Sequence, residues 1–275
     1  MSLRINTNMA SINAQRQLSS QEQKLSSSMR ALSSGSRISS ASDDAAGLAI
    51  SEQLKARTSG NRMAKRNSED AISMIQVGEG SLNEVNNILV RLRELSVQSA
   101  SGTMSDNERS FIDQEAQQLL SEVDRIAEST RFGDKNLLNG SNDELEFQVG
   151  TDGSENSVIR YESNADATTS ALDVSGLDLS RMSGARSAIE DIDSALFKVG
   201  EMRSSFGALQ NRLDSTINNL DVSHESLSAA NSRIRDADIA QESSELMRNQ
   251  ILQQASVSML AQANQSQSAA LKLIG

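Results

Sequence analysis

The chain contains no cysteine, no proline and no tryptophan, and aromatic residues make up 2% of its 275 positions. Each absence excludes something. Without Cys there can be no disulfide, no thiolate nucleophile and no Cys-ligated metal. Average usage would place roughly a dozen prolines in a chain of this length. Because Pro costs ~3 kcal/mol inside a helix, its absence suits a largely helical chain. It also removes isomerisation steps of ~10–100 s, an advantage to a chain that must refold after passing a narrow pore. The aromatic rings all lie between Phe111 and Phe206, so both long ends lack them. Those ends must gain stability from Leu, Ile, Met and Ala in helix-on-helix contact. No stretch approaches the ~20 apolar residues of a membrane span, which predicts no membrane insertion. "MSLRINTNMA" has no apolar core of the kind a cleavable signal peptide carries.

Catalytic and cofactor signatures are equally scarce. The single histidine, His224, flanks an apolar seam and reads as a packed or solvated spacer. HExxH, G-x-S-x-G and G-x-x-x-x-G-K are missing, and the nearest glycine pair, Gly78 and Gly80, falls inside a helical run. Asp43–Asp44 serves better as a helix start than as an acid–base pair. The expectation is no enzyme, no cofactor and no metal. Formal net charge is −11, unevenly spread. Residues 1–42 hold five bases and one acid, and residues 232–275 hold four of each, which leaves −15 for residues 43–231. No basic, aromatic-interleaved patch exists for nucleic acid.

What is present is periodic. Ile72, Ile75, Leu82, Val85, Leu89 and Leu92 recur at helical spacing. "SDNE" at Ser105–Glu108 is a capping box, opening a second run through Ile112, Ala116, Leu119, Val123 and Ile126. Ile192, Val199, Phe206, Leu213, Leu220, Leu227 and Ile234 fall at seven-residue intervals, the mark of a coiled-coil seam. Near the start, Ile5, Met9 and Ile12 form one patch, and Leu18, Leu25, Met29 and Leu32 another. Ser33–Gly47 breaks that first helix, with Ser42 read as the cap of the next. Between Arg131 and Gly176 the period shortens. "LEFQV" and "VIRY" alternate around the turn-rich "GTDGSENS", predicting a β-hairpin. The fold class is therefore mainly α, with long antiparallel coiled-coil helices, a small β-hairpin region and an elongated rod form. At the far end Met259, Leu260 and Ala263 share a helical side, with Leu271 and Ile274 at the tip. An apolar stripe at a chain end asks for a partner, since frayed ends are usually polar.

Four long stretches carry a resemblance: "INTNMASINAQRQL", "LSSGSRISSASDDAAGLAIS", "LVRLRELSVQSASGT" and "SRIRDADIAQESSELMRNQILQQASVSMLAQANQ". Together, and in this order, they closely resemble bacterial flagellin, in a short form lacking the outer variable domains. The resemblance implies a structural subunit that polymerises into the flagellar filament for motility, exported unfolded by the flagellar type III apparatus. It implies an N-terminal inner-tube helix plus spoke over 1–42 and outer-rod helices over 43–130. A hairpin region over 131–180, an outer-rod helix over 181–231 and a C-terminal inner-tube helix over 232–275 follow. Assembly contacts would involve the N-terminal patches named above and Ile251, Ala255, Met259, Leu260, Ala263, Leu271 and Ile274. The implied partners are further copies of the chain, an export chaperone on the C-terminal helix, and filament cap and hook-junction proteins. The implied place is secreted, extracellular, in the bacterial flagellum. "ILVRLRELSVQ" also resembles a stretch bound by a host Toll-like receptor, through Ile88, Leu89, Arg91, Leu95 and Glu115. The alternative is a hook–filament junction protein or a minor filament subunit; Ser36 in place of an apolar residue, and the basic run "RTSGNRMAKRNSEDA", are departures from the family pattern.

Overall fold

The computed structural model describes residues 7–140, 144–161 and 165–272, the side chains of 266–272 excepted. Its helices are α1 (Met9–Ser34), α2 (Ala45–Ser99), α3 (Asp106–Ser129), α4 (Met182–Arg235) and α5 (Ile239–Lys272). Between α3 and α4 come β1 (Arg131–Phe132), β2 (Lys135–Asn136), β3 (Leu145–Gln148) and β4 (Val158–Tyr161), with a 3₁₀ turn at Glu155–Ser157. The chain falls into two compact units, residues 59–224 and residues 1–58 with 225–275, and α2 and α4 contribute to both.

The 59–224 unit holds the hydrophobic core, which runs from Ala71 to Leu213. Leu82, Val85, Leu89 and Leu92 of α2 are fully buried, as the helical spacing predicts. On α3 the buried face is centred one position later than expected. Leu120 and Ala127 are buried, while Leu119 and Ile126 are half-buried at its edge. The capping box is formed: the Glu108 amide donates to Ser105 Oγ at 3.4 Å, and the Ser105 amide to Glu108 Oε2 at 2.8 Å. On α4 the seven-residue seam is graded. Ile192, Val199, Phe206 and Leu213 are buried, whereas Leu220, Leu227 and Ile234 lie past the end of the core and stay half-buried.

The expected hairpin pairs Phe147 with Ile159 and Leu145 with Tyr161. Its inner face meets the core, where Tyr161 lies 5.7 Å from Phe206 ring to ring and shares a hydrogen bond with Ser205. Burial raises the Tyr161 hydroxyl above its ordinary pKa. Two features lay beyond periodicity. A second, two-residue hairpin joins β1 to β2. The 165–181 segment has no regular element, yet buries Leu172, Val174 and Leu179. Polar anchors hold it in place of a ladder: Asp124 accepts from the Thr169 amide and hydroxyl, and Asp113 from the Leu179 amide. Ser99 donates to the Leu179 carbonyl. Pairing a buried segment's backbone with side chains removes the cost of leaving it unpaired.

In the other unit α1 and α5 pair antiparallel. Asn8 donates to the Ala263 carbonyl at one end, and Ser36 bridges Asp236 at the other. Gly35 ends α1 in the left-handed conformation with φ +68°, which suits glycine. The start of α2 differs from expectation. Asp44, not Ser42, is the cap, accepting from the Gly47 amide at 2.9 Å. Asp43 instead accepts from the Ser40 amide and from the Ser39 hydroxyl and amide, and these bonds hold its carboxyl below the usual value. A carboxylate outcompetes a hydroxyl for amide donors, so the two acids take both turns.

Candidate assembly surface

The α1–α5 pair shelters few large apolar side chains between its helices. Positions sheltered between its helices recur at three- and four-residue steps. On α1 they are Ser11, Ala14, Leu18, Gln21, Leu25, Ser28 and Leu32, and on α5 Glu242, Leu246, Asn249, Gln253, Ser256, Leu260 and Ala263. Five of those fourteen are Leu, so most of this seam is small or polar. Only Ser28, Ala31 and Asn249 are buried outright among the described residues of the two helices. A polar cleft of about 430 Å³ opens between them at Gln21, Ser28 and Asn249. Gln21 Oε1 is enclosed there without a hydrogen-bond partner among the described residues. Such a seam positions two helices but supplies little apolar burial, and apolar burial is what stabilises paired helices.

A second set of large apolar side chains points outward. Met247, Ile251, Ala255 and Met259 fall four apart, one ridge along α5. Met247, Ile251 and Met259 are 61%, 65% and 66% exposed. On α1, Met9, Ile12 and Met29 are likewise exposed. Of the residues the sequence proposed for assembly, Leu18, Leu25, Leu32, Leu260 and Ala263 therefore lie in the half-buried seam. Met9, Ile12, Met29, Ile251, Ala255 and Met259 face solvent. Ile5 and Ile274 lie outside the described residues, and of Leu271 only the backbone is described. Sequence reasoning missed Met247, Leu252 and Val257, all exposed on α5. Stepping back four residues from Ile251 would have found Met247.

The connection between α1 and α2 is tied to the α4–α5 turn by backbone contacts. The Arg37 amide donates to the Arg235 carbonyl and the Ala237 amide to Gly35. Arg37 Nη2 reaches the Ile234 carbonyl at 2.7 Å. Arg235 in turn donates to Glu52 Oε1 at 2.6 Å, which lowers the Glu52 pKa.

The second set of proposed residues lies in the 59–224 unit. Leu89 and Leu95 are buried in the core and Ile88 is half-buried against it. Arg91 and Glu115 are exposed and joined, at 2.8 Å from Nη2 and 3.2 Å from Nε to Oε1. Glu115, then Glu94, holds the guanidinium in its charged form. Phe111 and Phe197, 70% and 73% exposed, are the rings sequence reasoning did not single out. They lie one turn from Glu115 and from Asp193, the partner of Arg93. Among the described residues no cluster of three His, Cys, Asp or Glu is placed to hold a metal, and no helix is long and apolar enough to cross a membrane.

Comparison with known proteins gives the same family at both ends. The profile of the bacterial flagellin N-terminal helical region matches residues 5–143, and that of the C-terminal helical region matches residues 189–274. The chain is 44% identical over 271 residues to a flagellin of Halalkalibacterium halodurans, covering 98% of this chain and 99% of that one. It is 40% identical over 303 aligned positions to a flagellin of Bacillus subtilis, covering 99% and 100%. Among solved structures it is similar to a Bacillus cereus flagellin crystal structure, at 30% identity and a TM-score of 0.50. That match covers 56% of this chain and 88% of the other.

Proposed function

Because the chain belongs to the bacterial flagellin family, we infer that it is a structural subunit of the flagellar filament, built by addition of further copies of itself. The family is structural and not enzymatic, and the filament is an extracellular appendage. Motility and export by the flagellar type III apparatus follow from that membership. The observation that carries the reading at residue level is the outward apolar ridge of α5 above a polar seam. A helix whose sheltered side is half polar, while Ile251 and Met259 stay exposed, draws little apolar burial from its own chain and has a stabilising partner elsewhere. Docking such a face on a different face of the next copy is a heterologous contact, which extends into an open helix when the rotation does not close.

On this reading the helices of 1–42 and 232–275 line the inner tube, and residues 43–231 form the outer part. Met9, Ile12, Met29, Ile251, Ala255 and Met259 make contacts between copies. Leu18, Leu25, Leu32, Leu260 and Ala263 set the pairing within one copy, with Ile5, Leu271 and Ile274 extending the stripe. An export chaperone would cover the α5 ridge before assembly, because the ridge is the surface that must be kept from premature self-association. Filament cap and hook-junction proteins would meet the same helices at the filament's two ends. For a host Toll-like receptor, Arg91 and Glu115 are the accessible contacts, with Leu89, Leu95 and Ile88 shaping the helices beneath them.

Seeded polymerisation tests the assembly reading. Purified subunit is added to short filament fragments, and elongation is followed by light scattering and electron microscopy for the full chain and a variant lacking residues 258–275. The expected result is elongation by the full chain alone. Equal elongation by both would remove Met259 from the contact between copies and show that the pairing set by Leu260 and Ala263 is not needed for it.

A further inference from the structure

We propose that Met9, Met29, Met247 and Met259 form a thioether oxidation site through which hydroperoxides arrest assembly of the free subunit. The proposal rests on the reading of the α1 and α5 outer faces as contacts between copies. With neither Cys nor Trp in the chain, the thioethers of its ten methionines are its most readily oxidised side chains. Their access to a dissolved oxidant is sharply graded. Met74 is buried, and Met104 and Met202 are packed against the core. Met9, Met29, Met247 and Met259 are 61%, 57%, 61% and 66% exposed, more than Met63 at 47% or Met182 at 37%. The most accessible described thioethers are thus the ones on α1 and α5.

Their placement turns a chemical change into an assembly defect. Met247 and Met259 bracket Ile251 and Ala255 on a single four-residue ridge, so both sulfurs lie within the stripe a second copy would cover. Met9 stands one turn from Ile12, and Met29 is exposed farther along the same helix. In the reaction a thioether sulfur lone pair attacks one oxygen of hydrogen peroxide and the O–O bond breaks. The sulfur, oxidised by two electrons, becomes a sulfoxide, and the peroxide is reduced to water. The sulfoxide is a strong hydrogen-bond acceptor, and covering it with an apolar face strips its water without replacement. In the free subunit these four side chains already face solvent, so oxidation leaves the fold in place and acts on docking.

The test treats the monomer with dilute hydrogen peroxide, maps the added oxygens by peptide mass spectrometry, and measures elongation on untreated seeds. The expected result is sulfoxide at the four sites, unchanged far-ultraviolet circular dichroism, and elongation slowed by about tenfold or more. Methionine sulfoxide reductases A and B with a thiol reductant should restore it. A variant with all four methionines changed to Leu should elongate equally before and after peroxide, while Met63→Leu/Met182→Leu stays as sensitive as the parent. If the four leucines themselves stop elongation, reductase reversal on the parent chain decides. Undiminished elongation with the four sulfoxides verified, or equal inhibition of the four-leucine variant, would overturn the proposal. Failure of untreated parent chain to elongate would instead sink the assembly reading beneath it.

Discussion

Gly78 and Gly80 lie two positions apart in the same helix and answer to opposite forces. A Cβ at Gly78 would come 2.9 Å from Phe206 Cε2 and 3.3 Å from Cζ, whereas one at Gly80 would meet nothing within 4 Å. Alanine in a helix interior is favoured over glycine by ~1 kcal/mol, which should appear undiminished at Gly80. At Gly78 the ring must move, and Phe206 is only 4% exposed and packed at a tilt against Tyr161. Overpacking of this kind costs ~1–3 kcal/mol, enough to cancel or outweigh the propensity gain. Urea unfolding of the two alanine variants should therefore show a higher midpoint for Gly80→Ala and an unchanged or lower one for Gly78→Ala. A raised midpoint for Gly78→Ala would mean that the helix–helix approach there is looser than the ring contact implies. This glycine pair, which falls inside a helical run, thus has a packing explanation at one member and none needed at the other.

At the scale of elements, what could be read in advance was what repeats. The α2 and α4 seams, the Ser105 capping box and the alternation of β3 and β4 each put a period or a fixed spacing into the residues. The β1–β2 hairpin has two residues per strand and so no period to detect. The 165–181 segment is held by Asp113, Asp124 and Ser99, partners at sequence separations of 45 to 80, which local patterns cannot encode. The α1 and α5 segments were legible as helices, but not which face of each turned toward the other. Apolar residues are normally assigned to the shelter, and here Met247 and Ile251 lie outside while Asn249 is buried. Capping carries a pH dependence. The Ser105 amide and hydroxyl hold Glu108 below its ordinary value of 4.5. A lowered carboxyl stabilises the helix start at pH values above the ordinary one, and that contribution is lost as pH falls through the lowered value. Amide exchange at the first turn of α3, corrected for intrinsic rates, should accelerate as pH falls below the ordinary value of 4.5 and through the lowered one. Glu108→Gln keeps the shape without ionising and should flatten that part of the profile. An identical slope in the variant would assign the fraying to other carboxylates.

The whole molecule carries its charge in one unit. Residues 59–224 hold 15 bases and 28 acids, a net −13, while the remaining residues hold 11 and 9, a net +2. Copies assembled through the nearly neutral helices carry their strongly acidic units into the same polymer, and like charge between copies opposes assembly. Screening should relieve it, since the Debye length shrinks from ~30 Å at 0.01 M salt to ~10 Å at 0.1 M. Seeded elongation is accordingly expected to speed up as sodium chloride rises over that range. Apolar docking of the α5 ridge adds a separable effect. At matched ionic strength sulfate should accelerate elongation beyond chloride, because excluded salts strengthen apolar burial while screening depends on ionic strength alone. The two salts acting alike would leave repulsion as the only brake and assign little of the docking energy to the ridge. Elongation that slows with added chloride would mean the opposite balance, with charge pairs between copies holding the polymer together, and the outward methionines and isoleucine would lose their claim to be its main contact.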